Sequence, residues 1–491
     1  MRAPTRAARP GLVLALVVLT QLMIVLDNTV VNLALPAIRT ELGFSATAVA
    51  WVTNSYILAF GGVLLLGGRL GDVLGRRSVF AAGMALFTIA SLIGGAAPDQ
   101  AVIVAARAVQ GVGAAIAAPS ALAILLATFA EGPARHRALG VFFAMSAAGG
   151  AIGLLVGGAA ISLLSWRWVF WINVLPGAVI VALVLLVVGA VPSVSRRVDL
   201  GGAVASTAAM TSLVYGFIRV GEAGWSDSAA AVAFAATLVL LAAFVAIEGR
   251  VSQPLLPLRL FAGRTSRAAY LTMLLVPAVM VGLYFFVSQF LQVVMAYSAI
   301  RTGLAFLPMS ALIFLMSRTL PRLIGRYGPR RFMIAGGVSL TAATAWLTQL
   351  STGSNYWTGV APALFLVGLG GGLLYMPVSA VLMANVRPQD NGAASGALQA
   401  MQQIGAALGI AVMVAVFGGV QRHGGGTGPQ AYAHGVAHAF RAATAFAVVA
   451  FTLIVFGLRP RKQDSASGLV AASVPGPATE PEPANPAVSR T

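Results

Sequence analysis

Runs of about 20 apolar residues, each long enough to cross a ~30 Å hydrocarbon core, recur fourteen times along this 491-residue chain. They fall near positions 12–36, 48–67, 78–97, 101–125, 138–161, 168–190, 200–219, 229–247, 268–293, 303–320, 332–350, 358–383, 394–418 and 440–458. Composition agrees: 59% of residues are hydrophobic and only 9% are charged, too few charges to keep a soluble chain of this size in solution. The expectation is an all-α polytopic membrane protein with fourteen transmembrane helices.

An even number of spans puts both termini on one side of the membrane, and the basic residues decide which. Loops on the N-terminal side carry Arg69, Arg76 and Arg77, then Arg135 and Arg137, Arg196 and Arg197, and later Arg318, Arg322, Arg326, Arg330 and Arg331. The opposite loops hold only Arg39, Arg167, Arg219, Arg301, Arg422 and Arg441. Positive charge collects on the cytoplasmic side, so both termini are expected there. The net charge of +18 is thereby explained by loop placement, and nucleic acid is not an expected partner. The run after Arg2, Arg6 and Arg9 is too long for a cleaved signal and reads as a retained first span.

Several chemistries drop out. There is no cysteine, and Lys462 is the only lysine, so no thiolate chemistry and no phosphate-loop lysine is available. His434 and His438 have helical i,i+4 spacing but no third ligand nearby in the sequence. No nucleophile–base set appears either. The chain is therefore expected to be no enzyme, to hydrolyse no ATP and to hold no metal or organic cofactor.

A weak internal repeat divides the chain. Residues 69–83 (RLGDVLGRRSVFAAG) resemble residues 322–336 (RLIGRYGPRRFMIAG), and Gly111 to Ser120 echoes Leu369 to Val378 with Pro119 opposite Pro377. Span 3 thus matches span 11, and span 4 matches span 12. The reading is two six-helix halves, 1–190 and 263–460, separated by two extra central helices within 191–262, with 461–491 a disordered cytoplasmic tail rich in Pro, Ala, Ser and Glu. Repeated halves with a site between them are the usual build of secondary transporters.

Of the thirteen acids, Asp27 alone lies well inside an apolar run, and Arg107 is the one arginine clearly inside another. Ionisable groups at membrane depth are costly and mark functional sites by default. Each lies nine residues from the outer end of its span, which at 1.5 Å per residue places both at roughly 13 Å depth. Burial disfavours a charged carboxylate and a neighbouring cation favours it. A conformational change that alters either would take up and release a proton. The other reading of the pair is a static bridge between two helices. Polar residues within spans are candidates for the cavity lining: Asn28, Asn32, Asn54, Tyr56, Gln110, Tyr284, Gln289, Tyr375 and Gln399, with Gln21, Asn173 and Gln402 also noted. Trp166-Arg167-Trp168 reads as an interfacial anchor.

These residues resemble a known family, the fourteen-helix drug:proton antiporters of the major facilitator superfamily. Leu26-Asp27-Asn28-Thr29-Val30-Val31-Asn32-Leu33-Ala34-Leu35-Pro36 is similar to that family's first-helix signature. Gly68-Arg69-Leu70-Gly71-Asp72-Val73-Leu74-Gly75-Arg76-Arg77 is similar to the superfamily's loop between helices 2 and 3, departing from it at Val73, and Arg107 to Ala115 resembles its helix-4 motif. The glycine spacing of the antiporter signature in helix 5 is kept at Gly140, Gly149, Gly153, Gly157 and Gly158, while Leu154 stands where a proline is expected.

The resemblance implies a facilitator fold, protons as the coupling ion with Asp27 as carrier and Arg107 in a coupling role, and export of small hydrophobic compounds. Gly68, Asp72, Gly75, Arg76 and Arg77 would form a cytoplasmic conformational gate, with Asp72 capping the next helix or pairing with an arginine. A monomer in a bacterial cytoplasmic membrane is expected; the preference for Arg over Lys fits a GC-rich genome. Two alternatives stand beside export: proton-coupled uptake of a metabolite, which Leu154 keeps open, and a membrane receptor or assembly partner without transport.

Overall fold

A computed structural model describes residues 10–129, 133–189, 200–251, 258–384, 386, 391–423 and 428–458. The described residues are almost wholly helical. The N-terminal half comprises α1 (Pro10–Leu42), α2 (Ala50–Leu74), α3 (Arg76–Gly95), α4 (Gln100–Thr128) and α5 (Pro133–Leu163), and its sixth crossing is divided into α6 (Trp168–Trp171) and α7 (Val174–Val187). The extra pair is α8 (Leu200–Ala223) and α9 (Ser228–Arg250). The C-terminal half contains α10 (Arg264–Gln289), α11 (Ala299–Tyr327), α12 (Pro329–Leu347), α13 (Ala361–Ala384), α14 (Asn391–His423) and α15 (Pro429–Thr452). Among the described residues, 11 helices are long and apolar enough to cross a membrane. The remaining places in the fourteen-span reading belong to α2, α5 and α12.

The sixth crossing, expected at 168–190, runs from Trp168 to Val187 as one span, with its helical hydrogen bonding interrupted at Ile172 and Asn173. Pro176 explains it: a proline lacks the N–H that would bond the carbonyl four residues back, here that of Ile172. The break turns Asn173 inward, where it is buried. The expected tail at 461–491, the boundary near 190 and the loop arginines Arg196 and Arg197 lie outside the described residues.

The internal repeat has a structural counterpart. Gly75, between α2 and α3, has φ 92°, and its match Gly328, between α11 and α12, has φ 76°. Both turns need a left-handed residue, which glycine supplies without steric cost. Beyond them, Gly83 on α3 meets Gly113 on α4, and Gly336 on α12 meets Gly370 on α13. Small residues let the paired backbones approach, the usual device of membrane helix packing.

Acids the sequence places at span edges cap helices. Asp99 accepts from the Val102 N–H (2.9 Å) at the start of α4, and Asp227 accepts from the Ala230 N–H (2.9 Å) at the start of α9. Asp227 also takes a hydrogen bond from Arg219 at 2.5 Å. The Ala230 N–H, then Arg219, hold this carboxyl below the usual carboxylate range. A depressed folded value means the cap stabilises above the ordinary carboxylate range and is lost as pH falls through the lowered value. Asp227→Ala should therefore lower the melting temperature by roughly 1–2 °C at neutral pH. The gap between variant and parent should close in strong acid, and a gap that persists there would contradict this account.

Glu248, read as an edge residue of its run, is buried near the end of α9. The extra pair packs on both halves. A Cβ at Gly418 of α14 would run into the Gly221 carbonyl of α8, and one at Gly62 of α2 would run into Thr207 of α8.

Candidate functional site

Asp27 and Arg107 meet in the interior of the N-terminal half, both wholly buried. The Arg107 Nη1 donates to Asp27 Oδ2 at 2.5 Å and to Gln110 Oε1 at 2.9 Å, and Nε donates to the Val52 carbonyl at 3.0 Å. The guanidinium also lies over the Tyr56 ring, 4.2 Å from its centroid. The other carboxylate oxygen, Oδ1, accepts from Gln110 Nε2 (2.9 Å) and Asn173 Nδ2 (3.0 Å). Gln110 Nε2 bonds Ser91 Oγ (2.8 Å), which itself donates to the Phe87 carbonyl (2.8 Å).

The bonding fixes the amide orientation of Gln110. Arg107 offers only donors, so the side facing it must be the Gln110 oxygen, and the nitrogen must face Asp27 and Ser91. Asp27 thus receives three donors from three side chains and, within this network, faces no acceptor for a carboxylic proton. The network draws on α1 (Asp27), α2 (Val52, Tyr56), α3 (Ser91), α4 (Arg107, Gln110) and the break before α7 (Asn173), so a change of charge at one atom is felt by most of the half. Ser91 was not nominated by the sequence, because a helical serine is commonplace and carries no signal of its own. Gln110 and Asn173, nominated as cavity lining, are both buried against the ion pair.

The remaining nominees are dispersed. Asn28 donates to the Ile24 carbonyl and Asn32 to the Asn28 carbonyl, forming a ladder along α1. Asn54 is wholly buried. Tyr284 stacks on Phe306, with centroids 5.1 Å apart. Gln289 is buried and accepts from the Tyr432 hydroxyl at 3.0 Å. Tyr375 is half-buried and Gln399 is exposed. A separate apolar cavity lies between α2, α8, α9 and α14, lined by Leu58, Met210, Leu241, Phe244 and Met401 among others, and none of the nominees faces it.

Of the gate residues, Arg76 reaches the Ala123 carbonyl of α4 at 3.5 Å, and Arg77 donates to the Leu185 carbonyl of α7. Gly68 packs on Pro119, and Gly75 forms the turn described above. The Asp72 side chain lies outside the described ones.

On helix 5, Gly149 faces Leu22 and Val25, Gly153 faces Leu26 and Thr29, and Gly157 faces Val30, so this glycine row seats the helix that carries Asp27. Gly158 instead meets Ala299 and Ile300 of α11, in the other half. The surroundings of Gly140 lie outside the described residues. Trp166 is not the surface anchor expected from the sequence. It is buried and donates to Glu41 at 2.7 Å, while Arg167 bonds Glu41 and the Gly95 and Ala97 carbonyls. Trp168 is 44% exposed.

Comparison with known proteins places this geometry in context. The chain is 39% identical over 448 residues to the puromycin resistance protein of Streptomyces alboniger, covering 89% of this chain and 88% of that protein. It is 41% identical over 420 residues to the cephamycin export protein of Amycolatopsis lactamdurans, covering 84% and 86%. With the tetracenomycin C resistance and export protein of Streptomyces glaucescens it shares 33% identity over 409 residues, covering 82% and 75%. Among solved structures, the inward-facing, occupied form of a bacterial homologue of the human lysosomal transporter Spinster superposes with a TM-score of 0.65 at 18% identity, covering 94% of this chain and 100% of that one. The POT family transporter PepTSo superposes equally, at 0.65 and 14% identity, covering 92% and 99%. The model of the Major Facilitator Superfamily matches residues 17–410. With two helical halves, an inserted pair and this match over most of its length, the chain belongs to the Major Facilitator Superfamily.

Proposed function

We propose that this protein exports small hydrophobic compounds from the cytoplasm in exchange for protons, by alternating access, as a monomer in a bacterial cytoplasmic membrane with both termini inside. The observation that carries the reading is the buried carboxylate of Asp27, held by Arg107, Gln110 and Asn173. Relatives of similar length named for puromycin resistance, cephamycin export and tetracenomycin C export support the direction and the substrate class. It is a transporter rather than an enzyme, and needs no cofactor besides the coupling proton.

In the cycle, opening of the outer side brings external protons to Asp27. Protonation removes the negative partner of Arg107 and loosens the tie between α1 and α4. Closure of the outer side and opening of the inner side then lets the proton leave to the cytoplasm and substrate enter. Re-formation of the charged network shown here accompanies the substrate-loaded return. A single carboxylate serves the proton, so a divalent cationic substrate would lack its second counter-charge. Neutral, zwitterionic and monocationic compounds are the fitting class.

The test uses inside-out vesicles with an imposed pH gradient and a pH-sensitive dye. Hydrophobic neutral and monocationic compounds should collapse the gradient by driving proton release, and hydrophobic dications should not. A gradient untouched by the whole panel, together with proton-driven accumulation of any of these compounds in right-side-out vesicles, would replace export by uptake.

A further inference from the structure

The signature that carries Asp27 ends in Pro36, and α1 runs straight through it. Proline has no N–H, so the carbonyl four residues earlier, that of Asn32, loses its helical partner, and the ring crowds the same turn. A buried carbonyl left this way needs another donor. The structure supplies one from the other half of the molecule: Ser288, on α10, donates its hydroxyl to the Asn32 carbonyl at 3.1 Å. One residue on, the Leu33 carbonyl accepts from Gln292 Nε2, also at 3.1 Å.

The two donors form one unit. Gln292 Nε2 also lies 3.3 Å from Ser288 Oγ, so it occupies a lone pair of that oxygen and leaves the hydroxyl hydrogen for Asn32. Their placement has a local cause. The helix widens into a π turn at Phe290–Val294, immediately after α10. Such turns recur at functional sites. On the α1 side, the Asn32 side chain bonds the Asn28 carbonyl at 2.8 Å, so the opened turn is tied rigidly to the residue next to Asp27.

We infer that Ser288 and Gln292 form an outer latch: they cap the carbonyls of the turn that Pro36 opens on α1, and this cap must be broken each time the outer side opens to protons. Pro36 is then a device that exposes main-chain acceptors to the opposite half in the closed state. Ser288 and Gln292 are positioning residues that set the population of the outward-open state. The inference rests on the alternating-access reading, but not on the direction of transport or on the coupling ion.

Because the native chain has no cysteine, labels can be placed without background. Thr40→Cys on α1 and Gln430→Cys on α15, both exposed at outer ends of opposite halves, carry a pair of spin labels on the full chain in lipid nanodiscs. Their distance distribution is read without substrate or gradient, so its outcome is independent of whether compounds are exported. Ser288→Ala should raise the ratio of long to short distances about 3- to 10-fold, the yield of one net hydrogen bond, and Ser288→Thr should restore it. Gln292→Leu should act in the same direction and serves if the alanine variant does not fold. In a Pro36→Ala background the Asn32 carbonyl regains an N–H, so adding Ser288→Ala should shift the ratio less than 2-fold. An unchanged distribution in both Ser288→Ala and Gln292→Leu, or an equal shift with and without Pro36→Ala, overturns the latch.

Discussion

Asp27→Asn should abolish substrate-driven proton release in inside-out vesicles, with release falling to the level of empty membranes, while the protein still inserts. The substitution keeps the shape of the side chain and removes its ability to exchange a proton. Its immediate cost is to stability. Arg107 remains buried and loses its only anionic partner in the site, and breaking a buried pair from one side typically costs about 3–5 kcal/mol. The Gln110 oxygen and the Val52 carbonyl still accept from it, which softens the penalty. Loss of transport through instability must therefore be separated from loss of coupling. The double variant Asp27→Asn with Arg107→Gln removes both charges. It should recover a large part of the thermal stability lost by the single variant and still release no protons. Gln110→Leu is the intermediate case: it strips one donor from Asp27 and one acceptor from Arg107 but leaves the pair. Its coupling should persist with a shifted pH dependence. Proton release by Asp27→Asn at the parent rate would remove Asp27 as the carrier.

Much of this architecture is legible in the chain because bilayers impose length and charge rules that sequence displays directly. The spans, the inserted pair and the gathering of basic residues on one side follow from those rules. The meeting of Asp27 with Arg107 was also readable, since two costly groups at equal depth invite each other. What completed the network was not. Asn173 reaches Asp27 from an interruption in the sixth crossing near Pro176, and a proline three residues into a helical segment is compatible with an unbroken helix start. Ser91 contributes one oxygen from a helix interior and differs in nothing from serines that face lipid. Trp166 carries the composition of a surface anchor, and only packing reveals that Glu41 draws its ring inward. The route of α8 across both halves depends on the close approach of Gly221 and Gly418, two glycines among 55. Tertiary approach decides these cases, and single-residue chemistry does not encode it.

A second large effect is expected where the halves touch. A Cβ built at Gly158 would stand 2.7 Å from the Ile300 Cα and 3.0 Å from the Ala299 carbonyl oxygen, both main-chain atoms of α11 that cannot turn aside. The reciprocal glycine is Gly303, whose missing side chain makes room for the Leu154 carbonyl. The Ser162 hydroxyl, accepting from the Ile300 N–H at 3.2 Å, closes the same corner. Gly158→Val should therefore hold the outer ends of α5 and α11 apart. Overpacking of this kind costs about 1–3 kcal/mol, enough to move the balance between closed and open outer sides roughly 5- to 150-fold, and export should fall at least about fivefold. The outer spin-label distance should lengthen while the Asp27 network, internal to the N-terminal half, stays formed. Gly150 supplies the control on the same helix: a Cβ there meets nothing within 4 Å, so Gly150→Val should export close to the parent rate. Gly153→Ala falls between, since its Cβ would lie 3.2 Å from the Thr29 side chain and 3.3 Å from the Leu26 main chain, inside one half. It should loosen the seat of α1 without opening the outer side. Equal export by Gly158→Val and Gly150→Val would mean that the α5–α11 contact is not the hinge of the cycle. In that case Leu154, standing where antiporters of this family carry a proline, would mark a helix released from that task.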